Sequence, residues 1–397
     1  VSVDIAFALR RALHADPEVG LHLPRTAARV SSALPADLEI YLSAQTSSFL
    51  AVVRGGQVPS SAAPRRAVLL RADMDALPVE EATGLPYAST NGAMHACGHD
   101  LHTAALVGAA HALQARREHL AGDVVLLFQA GEEALDGARL LVEEGLLDRP
   151  GVGYAAGLAV HVIADRELGA IESRSGAVTG AGTSIRAVFR GRGGHGATPH
   201  RAQDPVPALI AALHEIPVAL SRGLDAHDAI VFTPGSVHAG NRRNIIPDTA
   251  EFDATMRSFD PEVRARAEQI VRRVCEGCAL AHGVSVNLEV TQGYPSIDVD
   301  ATEHAFARPL VSSVPGLRFA EASRPAAMTE DFSRIAALMP SWFGFVGACP
   351  PDASSSEPSA NHSATALFDD AVLAPLIDLE TRWALERLAA DHRQESS

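Results

Sequence analysis

Short, almost unbroken apolar runs set the limits on what this chain can fold into. Residues 49–53 (FLAVV), 67–72 (AVLLRA) and 124–129 (VVLLFQ) are the length of strands and have no polar alternation, so they read as strands buried on both faces. Between and before them, residues 4–14, 24–34, 103–116 and 134–144 have helical spacing. Strands alternating with helices imply an α/β layer with a largely parallel sheet. A chain of 397 residues is long for one domain, so two are expected.

The middle of the chain has a different order. Residues 183–189 alternate like a strand, 205–220 suit a helix, and 229–237 and 250–257 read as two strands. Residues 261–282 form a long predicted helix, opened by Asp260 as N-cap and Pro261 at the first helical position. Residues 284–290 close the series as a strand. The order βαββαβ is the split-βαβ, ferredoxin-like unit. It predicts an inserted domain over 179–291, flanked by the two parts of a split α/β domain, 1–178 and 292–397. The last predicted helix lies near 369–388, and the Ser/Pro-rich stretch 350–359 reads as a loop just before His362.

Composition removes several functions. The net charge of −15 argues against nucleic-acid binding and against attachment to an anionic membrane. All 33 cationic side chains are Arg, so there is no Schiff-base lysine, P-loop lysine or Ser-Lys dyad. No apolar run approaches the roughly 20 residues of a membrane span. Four cysteines (Cys97, Cys275, Cys278, Cys349) are too few for a disulfide scaffold. The first residues lack the basic-then-apolar order of a signal peptide, and a cytoplasmic protein is expected.

Polar clusters fall where the buried strands end, which is where open α/β sheets bind ligands. They are Asp73 with Asp75; His95, Cys97, His99, Asp100 and His102; Glu132 with Glu133; His161; Glu330 with Asp331; and Asn361 with His362. A thiolate, imidazoles and carboxylates together suit Zn²⁺, Mn²⁺ or a similar divalent ion. Adjacent glutamates allow one carboxylate to hold metal while its neighbour takes a proton from water that the metal acidifies. Taken singly, each has a plain structural role: Glu132-Glu133 fits the acidic first turn of a helix, and Cys97 fits a small buried side chain. Their occurrence together, in this order, is what points to chemistry. Gly191 to Gly196 spells G-x-G-x-x-G, but it lies in the βαββαβ insertion and Pro199 follows, so the dinucleotide reading is rejected. Cys275-x-x-Cys278 lies inside the long predicted helix, where packing is the better reading. No G-x-S-x-G elbow supports a serine hydrolase.

The strings RADMDALPVE, MHACGHDLHTAALVGAA, FQAGEE, GRGGHGATPH, NRRNIIPD and MTEDFS resemble the signatures of the metal-dependent aminoacylase–carboxypeptidase superfamily. The nearest likeness is to its hippurate hydrolases, indole-acetyl-amino-acid hydrolases and N-acyl-amino-acid amidohydrolases. The resemblance implies two divalent ions, Zn²⁺ or Mn²⁺ with Co²⁺ or Ni²⁺ as alternatives, held by Cys97, His99, Glu133, His161 and His362. It implies Glu132 as general base, Asp75 as the aspartate that orients a ligand, and Asp73, Asp100 and His102 as supporting residues. From the insertion it implies His195 as oxyanion donor, with Asn244 and Arg257 gripping a substrate carboxylate. The insertion would act as a lid and as the contact of a homodimer, with His195 serving its own subunit or the partner's. The implied reaction is hydrolysis of small N-acylated amino acids; a dipeptidase or carboxypeptidase with the same metals is the alternative. A non-catalytic binding protein on this fold is the rival from another class, and the intact Glu132 and ligand set count against it. The chain departs from the usual strings at Gln129-Ala130-Gly131, at 134–137 and at Ala364, leaving every implied ligand in place.

Overall fold

The three apolar runs become strands of one sheet, two of them at its centre. The computed structural model describes residues 2–58, 64–351 and 358–395; residues 352–357 of the expected loop before His362 lie outside the described residues. The chain forms two units: Val1–Val178 with Ile297–Arg324 and Asp331–Ser397, and Thr179–Ser296 with Pro325–Glu330.

In the first unit the chain runs through α1 (Ser2–Ala15), α2 (Pro24–Ala33), β1 (Glu39–Leu42), β2 (Phe49–Val53), β3 (Arg65–Asp73) and α3 (His99–Gln114). It continues through β4 (Asp123–Gln129), α4 (Glu132–Leu135), α5 (Gly137–Glu143), β5 (Val152–Glu167), β6 (Ala170–Ser173) and β7 (Gly176–Ala177). The eight-stranded sheet has the order β1-β2-β4-β3-β5-β16-β6-β15, with β15 (Arg318–Glu321) and β16 (Ser341–Cys349) returning after the second unit. Its four central strands, β4, β3, β5 and β16, are parallel neighbours. The margins are mixed, because β2 joins β4 and β6 joins β16 antiparallel. Every residue of β4 and β16 is buried, as strands covered on both faces require. The fold is therefore mixed α/β with a large sheet. The same unit contains β14 (Asp298–Val299), paired with β7, and α8 (Ala301–Ser313), α9 (Ser333–Ala336) and α10 (Leu373–Glu395).

The helix expected over 134–144 is broken. Asp136 takes a left-handed φ of 54° and separates α4 from α5. Gly137 permits this, since a side chain there would collide with the carbonyl oxygen of Ala130. Arg334 holds the Asp136 carboxylate at 2.8 Å. The break leaves Glu132 and Glu133 on a turn of their own.

Helix α10 packs on α3 and β3 with an apolar face that includes Leu376, Ile377, Trp383 and Ala384. Glu380 lies in this face, 2% exposed, and its Oε2 has no hydrogen-bond partner among the described residues. Burial raises its carboxyl well above the usual range, which favours the protonated form in the fold. Above the pKa of a free Glu, folding must take up a proton, and stability falls as pH rises. Glu380→Gln should therefore melt higher than the parent at pH 8, with little difference at pH 4. The gap should grow by up to about 1.4 kcal/mol per pH unit above the free-Glu range. A pH-independent gap in thermal melts would show the carboxyl to be ionised in the fold.

The second unit is a four-stranded antiparallel sheet, order β10-β12-β8-β13, with two helices on one face. Its elements are β8 (Ala181–Arg190), β9 (Gly194–His195), α6 (Pro205–Gly223), β10 (Ile230–Ala239), β11 (Ile245–Ile246), β12 (Thr249–Ser258), α7 (Pro261–Ala281) and β13 (Ser285–Gln292). Asp260 caps α7 by accepting from the backbone N–H groups of Glu262 and Val263. Cys275 is buried in the core between helices and sheet, and Cys278 packs against that core; both are free thiols.

Candidate metal centre

Parallel strands in register bring their ends to one level. Asp73, the last residue of β3, lies opposite Gln129, the last of β4, and Arg71 lies opposite Ala159. His161, two residues beyond Ala159 on β5, therefore stands level with Asp73. Helix α3 starts beside these ends with His99. Gly98 precedes it at φ 80°, and a side chain there would collide with Val162 Cγ2. The Cys97-Gly98-His99 turn can thus lie flat against β5 only because residue 98 has no Cβ.

Six side chains from these elements converge. Cys97, His99 and His161 form one group whose ligand atoms lie within 4.8 Å of one another; Cys97, Glu133 and His362 form a second; His99, Glu132 and Glu133 form a third. Cys97 Sγ is 3.4 Å from His161 Nε2 and 3.2 Å from His362 Nε2. His362 Nε2 is 3.2 Å from Glu133 Oε1. Ligands bonded at about 2.0–2.3 Å around one tetrahedral ion sit roughly 3.3–3.8 Å apart, so these spacings fit a common cation. His99 Nε2 is buried without a hydrogen-bond partner among the described residues and lies 4.0 Å from Glu133 Oε1. A divalent ion satisfies that nitrogen, and the donor set fits one.

The outer nitrogens are fixed by the protein. His99 Nδ1 lies 2.8 Å from the carbonyl oxygen of Asp75, and His161 Nδ1 lies 2.9 Å from that of Val162. A carbonyl only accepts, so both rings carry the proton on Nδ1 and turn Nε2 inward. Burial by itself would raise the Cys97 thiol, but His161 and His362 beside it hold it well below its ordinary value. His362 is pushed up to about 10 by its hydrogen bonds to Cys97 and Glu133. The thiolate and carboxylate call for positive charge at this point, from a proton or from a metal ion.

His102 belongs to a different layer, although Asp73, His99 and His102 also lie within ligand distance of one another. Its Nδ1 donates to Asp73 Oδ1 at 2.6 Å, and its Nε2 accepts from the Val162 N–H at 2.8 Å. Both nitrogens are occupied, so His102 supports β5 and has no lone pair for an ion. Burial opposes the Asp73 charge, but Arg71, His99 and His102 offset this and keep the carboxyl well below the usual range. Arg71 also donates to Gln129 and Asp331, and Asp331 accepts from the Ala138 N–H. The Asp75 carboxylate accepts from the Glu132 and Glu133 N–H groups at 3.1 and 3.0 Å, capping α4. Asp100 turns away, to His14 at 2.7 Å and Arg10 at 3.1 Å.

In the second unit, His195 on β9 pairs with Ile245 on β11, and the Gly196 N–H donates to the Asn244 carbonyl at 2.9 Å. These two sequence-predicted residues, 49 positions apart, are neighbours. Arg257 is not with them. It lies opposite Gly182 and Val231 at the far end of β12, whereas β9 follows the end of β8 at Arg190, which lies opposite Thr249. Those ends are eight residue steps apart along β12, about 26 Å at 3.3 Å per step.

Comparison with known proteins gives the family. The profile of peptidase family M20/M25/M40 matches residues 69–385. The chain belongs to this family. Like its relatives, it is a hydrolase that acts on amide bonds. It is 35% identical over 344 residues to the N-acetyl-L-cysteine deacetylase of Bacillus subtilis, covering 85% of this chain and 79% of that one. It is 30% identical over 386 residues to the hippurate hydrolase of Campylobacter jejuni, covering 96% of each. The crystal structure of the Bacillus subtilis YXEP protein, described as a dinuclear metal-binding peptidase from the M20 family, superposes with a TM-score of 0.81. That protein is 29% identical, and the match covers 98% of this chain and 99% of that one.

The supporting residues were harder to see in the sequence than the ligands. Asn361 bonds to the backbone of β5, and its one signal is its place directly before His362. The Val162 peptide, which bonds to His102 on one side and His161 on the other, has no side-chain signal at all. Among the described residues, no helix is long and apolar enough to cross a membrane.

Proposed function

We propose that this chain is a two-metal amidohydrolase that cleaves N-acyl amino acids to a carboxylic acid and a free amino acid. The convergence of Cys97, His99, Glu133, His161 and His362, with Cys97 common to two groups, carries this reading. The metal-binding relative and the two acyl-amino-acid hydrolases support it. Bound ions would polarise the scissile carbonyl and acidify a water molecule. Glu132, held beside Glu133 by the Asp75 cap, takes the proton from that water and passes it to the leaving amine. Arg257 pairs with the substrate carboxylate, for which a guanidinium is shaped. His195 receives the developing oxyanion, and Asn244 joins Arg257 in holding the carboxylate.

In this reading the first unit is the split catalytic domain, and the second is a ferredoxin-like lid that also joins two chains. The separation of Arg257 from His195 and Asn244 supports a homodimer, because one small substrate does not span it. One chain then supplies Arg257 and its partner supplies His195 with Asn244. Exposed Ile210 and Val218 on α6, and Val231 and Val237 on the edge strand β10, are the apolar surface for that contact.

The test is release of free amino acid from N-acetyl and N-benzoyl amino acids, with dipeptides alongside, after chelator stripping and reloading with Zn²⁺, Mn²⁺, Co²⁺ or Ni²⁺. Activity should vanish on stripping and return with one or more metals. Metal affinity should rise with pH, because His362, pushed up to about 10, must lose a proton to bind. Cleavage of dipeptides alone would favour a peptidase. No cleavage of any substrate with any metal would sink the reading.

A further inference from the structure

His362 differs from the other imidazoles of the site. Its side chain is 55% exposed, where those of His99 and His161 are buried, and its backbone takes a φ of 70°. Packing does not place it, and a left-handed conformation is unfavourable for a residue with a Cβ. Something else must hold it. Its backbone N–H donates to the Ala96 carbonyl at 2.8 Å, its ring meets Cys97 and Glu133, and the chain leading into it is tied to β5 by the side chain of Asn361.

The Asn361 amide spans two positions of β5. Its Oδ1 accepts from the Ala164 N–H at 2.8 Å, and its Nδ2 donates to the Val162 carbonyl at 3.0 Å. An N–H partner at one end and a carbonyl at the other fix the amide orientation. The pairing imitates a strand neighbour where the β5–β16 register is irregular, between Gly347 and Cys349. The same Nδ2 lies 3.6 Å from Cys97 Sγ. The Val162 carbonyl, in turn, is the oxygen that fixes the His161 ring. One amide therefore touches the shared thiolate, shares an acceptor with the second imidazole, and is bonded through the chain to the third.

We propose that Asn361 is a positioning residue for the metal centre, locking Cys97, His161 and His362 into one rigid set and donating an N–H to the thiolate. The inference rests on the reading of those three residues as ligands. Partners of this kind, one bond removed from a metal, typically change metal affinity by about 10–100-fold when lost.

The test uses the full-length chain with Asn361→Ala and Asn361→Asp. The aspartate keeps an acceptor for the Ala164 N–H but has no donor for Val162 or Cys97, and it places a carboxylate against the thiolate. Metal affinity is measured by competition with a chelator, and the Co²⁺-loaded protein is followed by its thiolate-to-cobalt absorption band. Both variants should bind metal about 10–100-fold more weakly and shift that band, with Asn361→Asp affected at least as much as Asn361→Ala. The metal-free melting temperature of Asn361→Asp should stay near the parent's. If Asn361→Asp keeps parental affinity and an unshifted band while Cys97→Ala and His362→Ala lose metal, the positioning role is wrong and the ligand assignment stands. If Cys97→Ala and His362→Ala also keep parental affinity, the ligand assignment itself fails.

Discussion

Glu132→Gln should hold the same number of divalent ions as the parent and hydrolyse N-acyl amino acids about 10²–10⁴-fold more slowly in kcat. The substitution removes the proton-accepting oxygen and little else. The Asp75 carboxylate grips the backbone N–H groups of residues 132 and 133, so an isosteric side chain leaves the turn and Glu133 in place. Glu132 is 6% exposed and its carboxylate lies within 4.8 Å of the ligand atoms of His99 and Glu133, beside the proposed metal site. The check is metal content by elemental analysis together with steady-state kinetics. Turnover within a few-fold of the parent would remove Glu132 as the base. Loss of an ion would make it a ligand instead.

His195→Ala should lower kcat by about 10²–10³-fold, the usual cost of one oxyanion donor, with metal binding unchanged. The larger effect is expected on mixing. If His195 serves the partner's site, a dimer of one Glu132→Gln chain and one His195→Ala chain contains one complete site, the one with an intact Glu132 and a partner's intact His195. Equal amounts of the two inactive variants, allowed to exchange subunits, form mixed dimers in about half of cases. About a quarter of parental activity should then appear. No recovery, with exchange verified by a mass-labelled chain, would place His195 in its own subunit. The register supports the first outcome, since His195 and Asn244 share one end of the second unit and Arg257 stands at the other.

Much of the first unit was legible in the chain itself. An apolar run such as VVLLFQ has no partner in water on either face, so it became a central strand, and the polar residues that end such runs became the rim of the sheet. The candidate donor types were legible for the same local reason, since a thiol, imidazoles and paired carboxylates in those few loops have little else to do together. The break at Asp136 was not, because helical spacing over 134–144 says nothing of a carbonyl pressing on Gly137 from a strand end.

The sequence by itself determined most of the elements, the candidate donor atoms and the likeness to the family, because apolar periodicity and ligand chemistry are properties of single residues and short segments. Tertiary structure alone decided the rest. It occupied both nitrogens of His102 and turned one nitrogen of His99 and of His161 inward. It set Asn361 against β5 and put Arg257 at the end of β12 opposite to the end that pairs with Arg190, from which the chain runs on to His195. Each of these depends on a hydrogen-bond partner or a strand register contributed by residues far away in the chain. Such partners exist only once the strands have paired, and nothing in the local sequence encodes them.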